Sequence, residues 1–274
     1  MILKFLFPYW GSEKQTASSL FEFVRTNDFN GIEINLPNDE KFITDFNNHL
    51  DLEREGNSNF ICVLQQVFGS KKESPIDYLS KVLNKLNSLF AYQPEFINSH
   101  TGKDHYSFDD NCRIIDAIEN AAAQNNVPVY HEIHRGRFTF HSAVTLKYLE
   151  KFPNLKLVGD FSHWCVVSES LLEDQEEIIK LVVPHIAHLH ARVGTEQASQ
   201  VTNPFAPEWA DHLDRFTKIW TDTLSFHKAL DSFTVTPEFG PFPYMPQEPF
   251  TKLPLANQLE LNLKMKDHLK LQLR

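Results

Sequence analysis

Glycine is scarce in this chain, with nine residues in 274. None of them builds a GxGxxG or GxxxxGK[ST] turn, so the phosphate cradle of an open doubly wound sheet is missing. Cysteine is scarcer still. Cys62, Cys112 and Cys165 are odd in number and lack CxxC or zinc-finger spacing. That excludes a disulfide framework and fits a reducing compartment, so a cytoplasmic location is expected. No apolar run approaches the roughly 18 residues of a membrane span, and no membrane partner is expected. The stretch MILKFLFPYWG is apolar but short, and Pro8 and Gly11 break it. It reads as a first buried strand rather than a signal peptide. Positive charge is in deficit. The 26 basic side chains against 36 acidic ones give a net charge of −10. Such a surface repels phosphate backbones, so no nucleic-acid partner is expected.

Core material, by contrast, is ample. Hydrophobic residues make up 42% of the chain and aromatics 12%, which excludes disorder as the main state. Short apolar runs recur at 3–9, 31–37, 60–68, 96–100, 127–134, 155–162, 186–193 and 233–239. Their near-continuous apolar character predicts strands buried on both faces, as in parallel sheets. The stretches between them carry helical periodicity at 12–27, 39–54, 74–89, 108–124, 142–151, 170–183, 211–230 and 256–273. Ser74-Pro75 is a helix start, with a capping hydroxyl followed by a first-turn proline. Eight such units at about 34 residues each predict one (β/α)8 TIM barrel over 1–274. Two long inserts, about 194–210 and 240–255, follow strands seven and eight. They are expected to cover the C-terminal face, where barrel active sites lie. Their aromatics, Phe205, Trp209, Phe242 and Tyr244, suit a pocket cover or a homodimer interface.

Ionisable residues interrupt the apolar runs near their C-terminal ends. Glu132 falls in strand five, Asp160 near the end of strand six, His190 in strand seven and Glu238 in strand eight. Three carboxylates and an imidazole converging inside a barrel would be unstable without a cation. The set is hard and oxygen-rich. It predicts one divalent metal ion, with Mn²⁺, Mg²⁺ or Co²⁺ favoured and Zn²⁺ also accommodated. The competing reading makes some of these acids salt-bridge partners of Arg135, Arg137 or Arg192. His188 shares a strand face with His190 but lies one layer deeper.

The order of GIEI (31–34), NSHTG (98–102), HE (131–132), GDFSH (159–163), HLHAR (188–192) and PEFG (237–240) resembles the xylose isomerase-like TIM barrels. That family includes sugar isomerases, ketose 3-epimerases, inosose dehydratases and endonuclease IV. The resemblance implies metal ligands at Glu132, Asp160, His190 and Glu238. It implies that Glu132 and Glu238 also move the proton through an enediolate, and that His163 contacts substrate oxygens. It also implies an isomerase or epimerase of a sugar or polyol, with a sugar dehydratase or lyase as the alternative. Further substrate contacts are expected from Arg192, His100, His134, Glu33 and Trp10. The chain departs from the ketose epimerases at Phe138, where a supporting glutamate commonly stands. Instead His134, Arg135 and Arg137 crowd the exit of strand five, suited to a carboxylate or phosphate or to neighbouring acids. It departs from endonuclease IV at Gln65 and Gln66, where a histidine would follow strand three, and has no DxH after strand seven. A sugar-binding barrel without catalysis is the non-enzyme alternative.

Overall fold

A computed structural model describes residues 1–69 and 71–272. Eight parallel strands close a barrel in sequence order. They are β1 (Ile2–Pro8), β2 (Gly31–Ile34), β3 (Ile61–Gln66), β4 (Phe96–Ser99), β5 (Val129–Glu132), β6 (Leu157–Gly159), β7 (Ile186–His190) and β8 (Ser232–Thr236). Helices surround it: α1 (Ala17–Thr26), α2 (Glu40–Gly56), α3 (Pro75–Phe90), α4 (Phe108–Asn125), α5 (Ser142–Lys151), α6 (Phe161–Ser168), α7 (Glu176–Val182), α8 (Ala210–Phe226) and α9 (Gln258–Gln272). The (β/α)8 architecture is the one the alternation of strands and helices predicts.

The two-residue period of the strands sorts their side chains into layers. Leu6, Val63, Phe96 and Val158 form a buried apolar cluster of their own, with Tyr130 packed against it. Phe96 stacks on Tyr130 with ring centroids 4.3 Å apart. Two residues further along β3, β4 and β5 stand Gln65, Asn98 and Glu132, all buried. The apolar layer thus plugs the barrel, and a polar layer lies on top of it. The larger core lies between strands and helices, where α2, polar on most sides, contributes Phe42, Phe46 and Leu50.

Local chemistry starts the helices as expected at Ser74, whose hydroxyl accepts from the Asp77 amide with Pro75 in the first turn. Three expectations need correction. The run at 155–162 was expected to stay extended, but the strand stops at Gly159 and Asp160 caps a separate helix, α6. The helix expected at 170–183 begins only at Glu176, because Leu172 takes a positive φ of 67°, and Pro184 follows its end. Glu238 lies two residues beyond β8 rather than within it. The last helix matches its expectation through Gln272; residue 273 lies outside the described residues.

The seam between the first and last units is closely fitted. β1 pairs with β8 in register from Ile2↔Ser232 to Phe5↔Val235. Gln258 on α9 donates to the Trp10 carbonyl at 2.5 Å, and Lys266 donates to the Asn27 carbonyl. Gly240 lies so close to the Trp10 indole that a Cβ there would fall 2.1 Å from ring carbons. Among the described residues no helix is long and apolar enough to cross a membrane.

Candidate metal centre

Four side chains from four units meet at the C-terminal mouth. Glu132 ends β5, Asp160 caps α6, His190 ends β7 and Glu238 follows β8. One donor atom from each lies within 4.8 Å of the others, and all four residues are buried. His190 Nδ1 is 3.0 Å from Glu238 Oε2 and 4.0 Å from Glu132 Oε1.

Beneath this group Glu33 fixes the imidazole. His190 Nε2 sits 3.0 and 3.1 Å from the two Glu33 oxygens, so Nε2–H donates there. Nδ1 is fully buried and turns toward the carboxylates of Glu238 and Glu132. Glu33 is itself held by Gln65, Asn98, Thr236 and His188 at 3.0, 2.9, 2.6 and 3.2 Å. Burial works against its charge, but His190 and His188 outweigh that and keep its carboxyl well below the usual range. A carboxylate behind an imidazole is the usual way a metal-ligating histidine is oriented.

The charges do not balance among the protein groups alone. Glu33, Glu132, Asp160 and Glu238 are four buried acids, and Arg192 is the guanidinium among them. Arg192 pairs with Asp160 and, at 3.2 Å, with Glu238. Burial pushes the Asp160 carboxyl up to about 6 despite Arg192. Burial also disfavours the His190 imidazolium, yet Glu238, Glu33 and Glu132 together raise its pKa well above the ordinary value. Asp160 Oδ1 accepts from the Ser162 amide and hydroxyl, at 3.1 and 2.5 Å. Asn98 and His100 hold Glu132 Oε2 at 2.6 and 3.1 Å. Burial opposes the Glu132 charge, but His100 and His190 outweigh it and lower its pKa. A divalent cation among these donors would relieve the imbalance.

A cavity of about 580 Å³ opens above the group, lined by Tyr9, Trp10, His100, Glu132, His134, Arg137, Arg192, Glu238 and Tyr244, among others. Two imidazoles of its wall, His100 and His134, lie tilted against each other with ring centroids 4.3 Å apart, and His163 backs His134 at 3.9 Å. His134 donates from Nδ1 to the Arg135 carbonyl at 2.6 Å, so Nε2 accepts from the Tyr244 hydroxyl at 3.4 Å. Burial and the neighbouring His100 keep the His134 pKa well below its usual value.

Of the residues expected to meet substrate, Trp10, His100, His134 and Arg192 line the cavity. Glu33 lies below it, both of its oxygens already accepting from buried side chains. His163 is fully buried behind Arg192, its ring nitrogens 3.0 Å from Arg192 and 3.2 Å from Arg135. The two inserts divide their roles. Tyr244 of the second lines the cavity, whereas Phe205 and Trp209 of the first pack on His268 and His212. The first insert instead braces the second, since Gln200 bonds both the amide and the carbonyl of Gly240.

Asn98 and Asn262 belong to the site without having been singled out in the sequence. Alternation along β4 was the available signal for Asn98. Asn262, fully buried on α9, bonds the Phe239 amide at 2.7 Å and its carbonyl at 3.1 Å, fixing the backbone beside Glu238. Asn262→Ala leaves both groups unpaired. It is expected to cost about 1–3 kcal/mol in urea unfolding, and Mn²⁺ titration should show weaker binding than in wild type.

Fold and site together define a parallel barrel with a carboxylate-rich, histidine-containing cluster at its mouth. No protein-family model and no curated protein matches the chain. Solved structures do. The probable 3-DHS dehydratase AsbF from Bacillus anthracis superposes with a TM-score of 0.64 at 16% identity, covering 98% of each chain. A xylose isomerase-like TIM barrel protein from Mycobacterium smegmatis, in complex with magnesium, gives 0.65 at 11% identity over 98% of this chain and 96% of that one. The IOLI protein with a binding zinc atom gives 0.65 at 12% identity over 97% of both. The chain has the fold of the xylose isomerase-like TIM barrels.

Proposed function

We propose that this protein is a divalent-metal-dependent isomerase or epimerase of a sugar or polyol. The observation that carries the reading is the convergence of Glu132, Asp160, His190 and Glu238, four buried side chains with donor atoms within 4.8 Å of one another. Glu132, Asp160, His190 and Glu238 would hold the ion; their donor set suits Mn²⁺, Mg²⁺ or Co²⁺, with Zn²⁺ as the softer choice. Magnesium and zinc in two structures of the same fold support the reading. When bound, the cation would polarise a substrate carbonyl and offset negative charge on its vicinal oxygens.

The chain's own residues do the rest. Glu132 and Glu238 enter from β5 and from beyond β8, on different arcs of the mouth, and both line the cavity. One can remove a proton from the carbon next to a carbonyl, giving an enediolate, and the other can return it. Asn98 and His100 occupy Glu132 Oε2, leaving Oε1 for that proton. Arg192 restrains Asp160 and Glu238, and Trp10 and Tyr244 offer aromatic faces for sugar C–H groups. A second reading, a sugar dehydratase or lyase, is favoured by one observation. The His134–Tyr244 pair lines the same cavity and can protonate a leaving hydroxyl.

The test is proton exchange. Mn²⁺-loaded protein is incubated with ketoses and keto-inositols in D₂O and followed by NMR. Deuterium at the carbon next to the carbonyl, with an isomer or epimer formed, is the expected result. Loss of water to an enone supports the dehydratase reading. Glu132→Gln and Glu238→Gln should each slow exchange by about 10²–10⁴-fold. No exchange by metal-loaded protein would put the non-catalytic sugar-binding barrel first.

A further inference from the structure

The metal reading leaves Arg137 unexplained. It sits on the loop after β5, 6% exposed, and lines the cavity. Among the described residues Arg192 and Arg215 are also buried, and each has a carboxylate: Arg192 has Asp160 and Glu238, and Arg215 has Glu176 at 2.9 Å. No described carboxylate lies within ion-pair reach of Arg137. Its Nη2 donates to the Phe68 carbonyl at 2.8 Å and approaches His100 Nδ1 at 3.4 Å. Its Nε and Nη1 are buried with no acceptor. A guanidinium does not escape the cost of burial by losing its proton. An unpaired one facing a cavity is a preformed half of an ion pair.

We propose that Arg137 forms an anion subsite, and that the substrate is a sugar acid or sugar phosphate whose carboxylate or phosphate it holds. The inference rests on the metal-site reading for where the reacting end lies. One imidazole links the two ends. His100 turns Nδ1 to Arg137 and donates from Nε2 to Glu132. A substrate anchored at Arg137 therefore presents its neighbouring carbons to Glu132 and Glu238. A neutral sugar of the same size lacks the group that the guanidinium pairs with.

Three probes that differ at one carbon test this: glucose, glucuronate and glucose 6-phosphate, titrated calorimetrically into Mn²⁺-loaded protein. At least one anion should bind about tenfold or more tightly than glucose. A preference for glucuronate assigns a carboxylate site, and one for glucose 6-phosphate a phosphate site. R137Q and R137M should abolish the preference while binding Mn²⁺ as wild type does. In the absence of anion each variant should melt within a few degrees of wild type, because the lost hydrogen bond to the Phe68 carbonyl is offset by removal of a buried charge that had no counter-ion. If Arg137 were purely structural, its replacement would instead melt much lower. Equal affinity for the three probes, binding of neither anion, or a preference that survives in R137Q overturns the subsite. Failure of wild type to bind Mn²⁺, measured in the same titrations, overturns the metal reading instead.

Discussion

Adding Mn²⁺ to EDTA-stripped protein should raise its melting temperature by about 10 °C at saturating metal. The magnitude follows from linkage. A ligand at about a thousand times its dissociation constant stabilises the folded state by about 4 kcal/mol, and a domain of this size gains about 2–4 °C per kcal/mol. Glu238→Gln should melt close to wild type without metal, since the amide keeps the shape and relieves like-charge crowding with Asp160 and Glu132, which offsets the weakened pairing with Arg192 and His190. Its response to Mn²⁺ should be largely lost. A scan with Mg²⁺, Co²⁺ and Zn²⁺ then ranks the ions. A wild-type protein whose melting ignores all four cations would show that the cluster is no metal centre.

The second large effect is expected one layer down. Glu33 accepts from five side chains: Gln65, Asn98, His188, His190 and Thr236. Glu33→Leu removes the acceptor and strands those donors in the barrel interior. Breaking a buried charge network from one side costs about 3–5 kcal/mol, which denaturant unfolding would measure. Glu33→Gln is the finer probe. Its amide preserves volume but must turn an N–H toward one of the donors, so the tie to His190 Nε2 is weakened. Metal affinity should fall about 10–100-fold, as for other groups that orient a ligating histidine. Unchanged Mn²⁺ affinity in a folded Glu33→Gln protein would show that Glu33 serves stability alone.

These residues also mark where the sequence was legible. Apolar runs exposed the strands because both faces of each are covered, and that requirement acts residue by residue. The four convergent side chains were visible because an acid or histidine inside such a run is costly and therefore conspicuous. The ends of the runs were less legible. Phe161-Ser162 continues the apolar look of β6, but the Asp160 carboxylate caps the amide of Ser162 and turns the chain into α6. Glu33 was noticed, yet its partner His190 lies 157 residues away, and nothing local encodes that pairing. Arg137 presents the same limit in reverse. Three cationic or imidazole side chains at the exit of β5 look alike in sequence, and only their surroundings show that Arg137 is the one buried as a cation without an acid.

The seam adds a temporal dimension to the centre. During synthesis Glu132, Asp160 and His190 are made before Glu238. The first strand must wait for β8, more than 200 residues later, before its open side is covered. Long-range pairing of that kind is slow, because the chain gives up its freedom before contacts compensate. An unfinished barrel can thus gather three of the four donors but cannot complete the set. A cation bound by all four fastens the last-made arc to the earlier ones, and its capture would signal that the ring has closed.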